Sequence, residues 1–432
     1  MLLRFSVSNF GSIRDRQELS MIASGAIKDE ARGLIDAPEL KKEKALPAAV
    51  IYGANASGKS NFVKALAHMI ALVRDSHRRG EPGGGVPLKP FLLDPAYVHE
   101  PSVFSVDFLW GGARYAYSFE ASRSRFTRES LIVWRGGSRS KLFERVGDRF
   151  EFGRKLKGAP YALEKLVQPN TLFVSAAWQN NFAPLSDVFD FFDAIKIDLA
   201  AHRSAFEVSL TISKYLPDER ITRFMQEIDI GIEGSRVTEF VGDTKGHANQ
   251  HKGNIIEYVN VDDSMWSALL TTTSWSMFDK KRFTQLSRKR SDGKEIFFDL
   301  EDESAGTVQI LSIIGPIFQT LDEGGVIIID EFGSRLHTRA AEMILDLFNN
   351  KETNPKGAQL IVATHDTNLL NAKGLRRDQV WFTEKDERGA THLYPLTDIE
   401  TRKGDNLERG YLQGRYGAIP FAGSIADFKK TL

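Results

Sequence analysis

The chain has 432 residues, 57 basic and 57 acidic side chains, a formal net charge of zero, 42% hydrophobic and 26% charged residues, and no cysteine. That is globular composition with length for one elaborated domain or two, and the balanced charge argues against a protein whose whole surface clings to nucleic acid, though not against a local basic patch. Without cysteine, disulfides, thiolate zinc sites, iron–sulfur clusters and cysteine nucleophiles are excluded and a reducing cytoplasm is expected; no apolar run approaches the roughly 20 residues of a membrane span, and Arg4, Ser6 and Ser8 break up the N-terminal apolar residues, so neither signal peptide nor anchor is expected.

Leu3, Phe5 and Val7 alternate with Arg4, Ser6 and Ser8, the period of a strand with one buried face. Residues 24–46 are charged and punctuated by Gly25, Gly33 and Pro38, an irregular connection. The next stretch, AAVIYGANASGKSNFVKALAHMIALV at residues 48–73, organises the rest. Ala48 to Tyr52 has the length of a buried strand. Gly53-Ala54-Asn55-Ala56-Ser57-Gly58-Lys59-Ser60 fits the phosphate-loop pattern, and Phe62, Leu66, Met69 and Val73 share one face of a following helix. Gly53 and Gly58 permit a backbone approach that a side chain would block, so successive N–H groups converge on a phosphate at the helix N-terminus. Lys59 adds a positive charge, and Ser60 supplies the hydroxyl that in such loops ligates magnesium. Asn55, Ser57 and Asn61 join them as candidate nucleotide contacts.

Gly80 to Pro90, with four glycines and three prolines, is a loop. From 102 to 152 the period is two: Phe104, Val106, Phe108 and Trp110, a turn at Gly111-Gly112, then Tyr115, Tyr117 and Phe119, with further strands at Leu131 to Trp134 and Phe150 to Phe152. This predicts an antiparallel β meander inserted in the core. Thr171 to Ser175 reads as a short buried strand ending near Gln179. Residues 185–290 lose the strand period and show helical spacing in pieces, such as Ile221, Phe224, Met225 and Ile228, without sustained heptads. Ser304 caps a helix carrying Leu311, Ile314, Phe318 and Leu321; Val326 to Ile329 is an apolar strand ending in Asp330-Glu331; a helix follows at about 338–349, then the strand Leu360 to Ala363 and Thr364-His365-Asp366. Strands alternating with helices predict an α/β core with its ligand site at the strands' carboxyl ends.

Two adjacent carboxylates at the end of a buried strand suit a metal-assisted hydrolysis. Asp330 would hold magnesium beside Ser60, and Glu331 would act as general base on a water. A parallel neighbouring strand would bring His365 to the same edge, within reach of a terminal phosphate. Glu303-Ser304-Ala305-Gly306-Thr307 offers a second helix start suited to anions. One nucleotide already has its loop at Gly53 to Ser60, so Ser304 and Gly306 make most sense against a nucleotide held by another subunit. Lys280, Lys281, Arg282, Arg288, Lys289, Arg290 and Lys294, with Phe283 among them, form a basic stretch that is either a solvated loop or a patch for nucleic acid or a partner. His247 and His251 have the spacing of helical metal ligands, but Gly246 and Gly253 flank them and metal binding is not expected.

The phosphate loop, SAGT before a helix, VIIIDE, SRLHT and ATHD, in that order, resemble the ATPase head of the ABC class, close to RecF and SMC-type heads. More narrowly, NF near the start, DEFGSRLHT, THDTNLL and the YLQGRYGAIP tail resemble the RloA-like AAA-family ATPases of bacterial abortive-infection and phage-defence systems. The resemblance covers most of the chain and is thin between about 185 and 295. It implies a P-loop NTPase of ABC-ATPase type: a core over 1–184 that includes the meander, a mainly helical insertion over 185–295, and the rest of the core over 296–432. It implies ATP and magnesium as cofactors, and a homodimer or higher even oligomer in which Lys59 and Ser60 of one head face Ser304 and Gly306 of the other. On the same resemblance Gln179 would contact magnesium and water, Ser334 to His337 would form the loop at the dimer interface, and a neighbouring nuclease-like effector would be the partner. SAGT departs from the two adjacent glycines usual in transporters, which counts against membrane transport. An ATP-hydrolysing switch in antiphage defence is therefore the expected function; a RecF-like DNA-repair ATPase and a nucleotide-gated scaffold with little turnover are the alternatives.

Overall fold

The structure is a computed structural model that describes residues 1–27, 33–199, 205–216, 218–228, 231–240, 281–372, 374–402 and 404–419. The chain divides into two compact units, Met1–Ala201 with Ile317–Leu432, and His202–Pro316. His247, His251 and Lys280 lie outside the described residues.

The larger unit is built on two sheets. One is a six-stranded sheet in the order Ile195–Asp198, Val326–Phe332, Gln359–Thr364, Ala48–Gly53, Val380–Lys385, Thr391–Pro395, parallel except for the last strand. Its central strands Ala48–Gly53 and Gln359–Thr364 are buried along their whole length, as expected where helices cover both faces of a parallel sheet. The helix Lys59–Arg79 lays Phe62, Leu66, Met69 and Val73 into the core, packing against the strands of this sheet and against the helix Phe173–Gln179. The helix Thr338–Asn349 buries Ala340, Ala341, Ile344, Leu345 and Phe348.

The other sheet has seven antiparallel strands in the order Arg149–Phe152, Ser138–Val146, Phe126–Arg135, Ala113–Ala121, Ser102–Trp110, Leu2–Ser8, Gln17–Ser20. The predicted meander is thus present, but it is not a free-standing insertion, because the first strand of the chain pairs with it directly. Gly111 and Gly112 turn with φ of 56° and 69°, the left-handed pair that a tight hairpin needs. The strand Ser138–Val146 escaped the sequence reading because its charged residues hide the alternation. One buried glutamine joins this sheet to the first: Gln359 accepts from Leu2 N at 2.6 Å and donates to the carbonyls of Leu2 and Leu46, both at 3.0 Å.

The strand predicted at Thr171 to Ser175 is instead the start of the helix Phe173–Gln179. Its N-terminus has no cap of its own. The carboxylate of Glu129, fully buried in the meander, accepts from Phe173 N at 2.7 Å and Val174 N at 3.1 Å and from the Tyr117 hydroxyl at 2.8 Å. A cap more than 40 residues away in sequence leaves no local signal, and β-branched Thr171 and Val174 pointed the wrong way.

The mainly helical insertion expected over 185–295 also needs correction. Ser186–Asp193 is helical, but Ile195–Asp198 is the edge strand of the six-stranded sheet and belongs to the core. Within the smaller unit, two helices, Ala205–Ile212 and Glu219–Glu227, accompany an antiparallel sheet in the order Gly234–Phe240, Lys281–Lys289, Glu295–Asp299. Ser209 anchors the central strand by accepting from Thr284 N at 2.7 Å. These strands are rich in Lys, Arg, Ser and Glu, which masks their period. Among the described residues no helix is long and apolar enough to cross a membrane.

Candidate functional site

Three loops leave the carboxyl ends of neighbouring parallel strands: the phosphate loop after Ala48–Gly53, the turn at His365 after Gln359–Thr364, and Asp330-Glu331 at the end of Val326–Phe332. The histidine strand lies between the other two, so all three loops share one sheet edge. Sequence reasoning placed His365 and Glu331 on one edge through a parallel pairing, and that pairing is present.

The loop itself needs glycine at position 58. Gly58 has φ of 112°, and a Cβ there would stand 2.0 Å from Thr391 Oγ1. Thr391 is close because it props the loop: its hydroxyl donates to Ser57 O at 2.8 Å and lies 2.7 Å from Ser12 Oγ, which in turn accepts from Asn61 Nδ2 at 2.7 Å. Ser57 Oγ is 2.6 Å from Thr383 Oγ1. Ser57 and Asn61, candidate nucleotide contacts, thus spend their side chains on holding the loop in shape, whereas Asn55 is exposed at its tip. Ser12, Thr383 and Thr391 were missed: the sheet order places the two threonines here, and Ser12 comes from the turn between the first two strands.

Lys59 is 6% exposed and its ammonium donates to Gly53 O at 2.7 Å and Ala54 O at 3.1 Å. Burial lowers its pKa from 10.5 to about 8, with the charges of Asp330 and Glu331 opposing. Lys59 Nζ is also 3.5 Å from His365 Nδ1. An ammonium can only donate, so Nδ1 accepts and the imidazole proton sits on Nε2. Burial and then the Lys59 charge push the His365 pKa below its usual value, against Glu331 and Asp330, so the ring is neutral at pH 7.

Asp330 is buried and accepts from Glu331 N at 3.0 Å, with the Ser60 hydroxyl beside its carboxylate. Burial raises its pKa, against the neighbouring Ser60 hydroxyl and Glu331 N–H, which lower it. Glu331 has φ of 52°, and the pairing with the histidine strand shifts register between Ile329 and Phe332. This bulge breaks the alternation that would send Asp330 and Glu331 to opposite faces. The hydroxyl of Ser60 and the carboxylate of Asp330 are neighbouring hard oxygen donors, a pair that fits magnesium, which takes few protein oxygens and completes its shell with phosphates and water. Among the described residues no group of three or more His, Cys, Asp or Glu could hold a metal alone.

Further links tie these loops together. Thr364 Oγ1 donates to Phe332 O at 2.6 Å, and Asp366 accepts from Thr338 Oγ1 at 2.9 Å and from Asn368 N at 3.1 Å. In the Ser334 to His337 loop, Ser334 and Arg335 are exposed and His337 Nδ1 caps the next helix by accepting from Arg339 N at 3.2 Å.

Gln179 is not brought to this edge. It is exposed at the end of its helix and donates to Arg74 O at 3.4 Å. Arg74 lies roughly 20 Å along the helix from Ser60, at about 1.5 Å per residue. The proposed contact of Gln179 with magnesium fails because Phe173–Gln179 is a helix packed along Lys59–Arg79 and not a strand ending at the site.

Ser304, a residue of the smaller unit, is exposed, and its hydroxyl caps the start of the helix Ala305–Glu323 by accepting from Thr307 N at 3.1 Å. The preceding Glu303 receives Arg288 through two bonds of 2.6 and 3.3 Å. Arg290 pairs with Asp292 at 3.4 Å. Two members of the basic stretch are therefore engaged by local carboxylates.

A family model described as "AAA domain, putative AbiEii toxin, Type IV TA system" matches residues 48–371, from the first residue of the phosphate-loop strand through the His365 turn. No curated protein matches the chain.

Proposed function

The chain belongs to this AAA-domain family, and from that premise we propose that it is an ATP-hydrolysing switch of ABC type that closes as a dimer on ATP and governs a partner effector in bacterial antiphage defence. The observation that carries hydrolysis is the meeting of Lys59, Ser60, Asp330, Glu331 and His365 at one sheet edge, with Ser60 beside Asp330 and Lys59 Nζ 3.5 Å from His365 Nδ1. The toxin–antitoxin setting named in the family description supports the defence role, and the absence of cysteine fits work in the cytoplasm.

In this reading the N–H groups of the phosphate loop cradle the nucleotide phosphates. Lys59 exchanges its bonds to Gly53 O and Ala54 O for phosphate oxygens, which also restores full charge to an ammonium that burial has weakened. Magnesium, when bound, neutralises phosphate charge as a Lewis acid, and Ser60 and Asp330 are the residues that would hold it. Glu331 takes the proton of a water as its oxygen bonds to the γ-phosphorus; the bond to the bridging oxygen breaks and ADP leaves with that electron pair. Neutral His365, its proton on Nε2, donates toward the γ-phosphate or the water. Ser304, exposed, and Gly306, half-buried, at a helix start would meet a nucleotide bound by a second copy of the chain.

Steady-state phosphate release tests the enzyme reading. Glu331→Gln should retain ATP binding and lose turnover by about a hundredfold or more, the scale on which a positioned general base acts. Equal slow release by both proteins would favour the scaffold. Sedimentation tests the dimer: Glu331→Gln with saturating ATP should run as a dimer or larger, and Ser304→Arg in that background should not. A monomer in both would sink the composite site.

A further inference from the structure

The loop that bears His365 is not held by the core alone. Beyond His365 the chain makes a short turn of helix, Thr367–Asn371, whose Leu369 and Leu370 are buried while Thr367 is half-buried and Asn371 exposed. Both ends of that turn are gripped by one carboxylate from near the end of the chain. Glu408 Oε1 accepts from Thr367 Oγ1 at 3.1 Å, and Glu408 Oε2 accepts from Asn371 Nδ2 at 2.7 Å. Glu408 stands in the first turn of the helix Leu407–Leu412, capped by Asn406, which accepts from Arg409 N at 2.8 Å.

The same segment is fastened on its other side to the neighbourhood of the phosphate loop. Tyr411 stacks on Phe382, with ring centroids 5.5 Å apart, and lies against Tyr52. Its hydroxyl donates to Ala418 O at 3.0 Å. Glu384, one residue after the Thr383 that meets Ser57, accepts from Ala418 N at 3.1 Å and from the Tyr394 hydroxyl at 3.2 Å. Ala418 has φ of 58°, a left-handed conformation that a non-glycine residue adopts only when its surroundings impose it. The stretch Leu407 to Ala418 therefore spans from the strand beside the phosphate loop to the turn after His365, and its side chains grip both.

We propose that Glu408 is a positioning residue for hydrolysis: by clamping Thr367 and Asn371 it fixes the turn that aims His365 at the γ-phosphate, and through it the C-terminal segment sets the turnover of the site. This rests on the hydrolytic reading above. Glu408 contacts neither the phosphate loop nor the carboxylates at Asp330 and Glu331, so ATP capture is independent of it, whereas His365 is exposed, its ring 3.5 Å from Lys59 Nζ, and its aim follows the turn that carries it.

A double-mutant cycle with ATP as substrate tests the proposal. Glu408→Ala should lower kcat about five- to tenfold, the size expected from loosening two hydrogen bonds, and leave the KM for ATP within about twofold. Glu408→Gln, which can still accept from Asn371 and donate to the Thr367 hydroxyl, should recover most of the rate. In a His365→Ala background, Glu408→Ala should have almost no further effect, because the group it positions is gone. If Glu408→Ala does not fold, Thr367→Val with Asn371→Ala removes the same two bonds from the other side and enters the cycle in its place. Additive losses, a rise in KM in place of a fall in kcat, or no rescue by glutamine would each overturn the positioning role while leaving the ATPase intact. Absence of turnover in the unmodified protein would overturn the hydrolytic reading and this inference with it.

Discussion

Replacing Lys59 by methionine should stabilise the unliganded protein while abolishing its chemistry. The ammonium is 6% exposed, and burial carries its pKa from 10.5 to about 8 although Asp330 and Glu331 lie near. At about 1.36 kcal/mol per decade of proton affinity, the charged form in the folded protein is about 3 kcal/mol worse off than in water. Against this stand its bonds to Gly53 O and Ala54 O, which methionine forfeits at about 0.5–1.5 kcal/mol each. The balance favours methionine by about 1 kcal/mol near pH 7, which for a chain of this size is a rise in Tm of roughly 1–2 °C. The pH dependence separates this cause from packing. The folded pKa lies below the unfolded one, so between about 8 and 10.5 the unfolded chain holds the extra proton and wild-type stability rises with pH. The penalty is complete below about pH 8 and relieved by 10.5. Calorimetric scans of both proteins without nucleotide, from pH 7 to 10, should show the methionine variant ahead at the acid end and the gap closing toward the alkaline end. A variant less stable than wild type at pH 7, or a gap that does not change with pH, would refute the reasoning.

Gln179→Ala should leave phosphate release within about twofold of wild type, since its side chain sits far from the loop on the Arg74 carbonyl; a hundredfold loss would return glutamine to the site. Thr391→Val keeps the shape of the side chain but removes its bond to Ser57 O and its contact with Ser12, so titration with a fluorescent ATP analogue should show affinity weakened about three- to tenfold with the melting temperature little changed. Glu129→Ala strips the cap from Phe173–Gln179 and leaves Arg145, 1% exposed, without its neighbouring carboxylate; urea unfolding should report a loss of about 3–5 kcal/mol, and a loss below about 1 kcal/mol would show that the cap is redundant.

What could be read in the sequence is what is encoded locally. The phosphate loop, the apolar strand ending in Asp330-Glu331 and the helix at 338–349 each carry their own periodicity and punctuation, and the helix is found at Thr338–Asn349. The hairpin at Gly111-Gly112 was legible because only glycine pairs readily take two successive left-handed residues. Where a distant partner decides the structure, the reading failed. Phe173–Gln179 is helical because Glu129 reaches its N–H groups, and Gln179 was carried away with it. The props of the phosphate loop, Ser12, Thr383 and Thr391, are ordinary small polar residues until the tertiary fold sets them side by side. Strands such as Lys281–Lys289 carry so many charges that their period dissolves.

The order of strands in the six-stranded sheet has a metric consequence. With the histidine strand interposed, the phosphate-loop strand and the acidic strand stand two hydrogen-bonded spacings apart, about 9–10 Å. That width is fixed by backbone ladders, which resist stretching far more than side chains resist rotation. The sheet is thus a gauge whose jaws are Lys59 and Glu331, and the gap between them is set before any nucleotide arrives. Substitutions at buried positions such as Val362 or Ile361 of the middle strand, which touch no ligand, will alter the twist of that gauge and with it the rate at which the site fires.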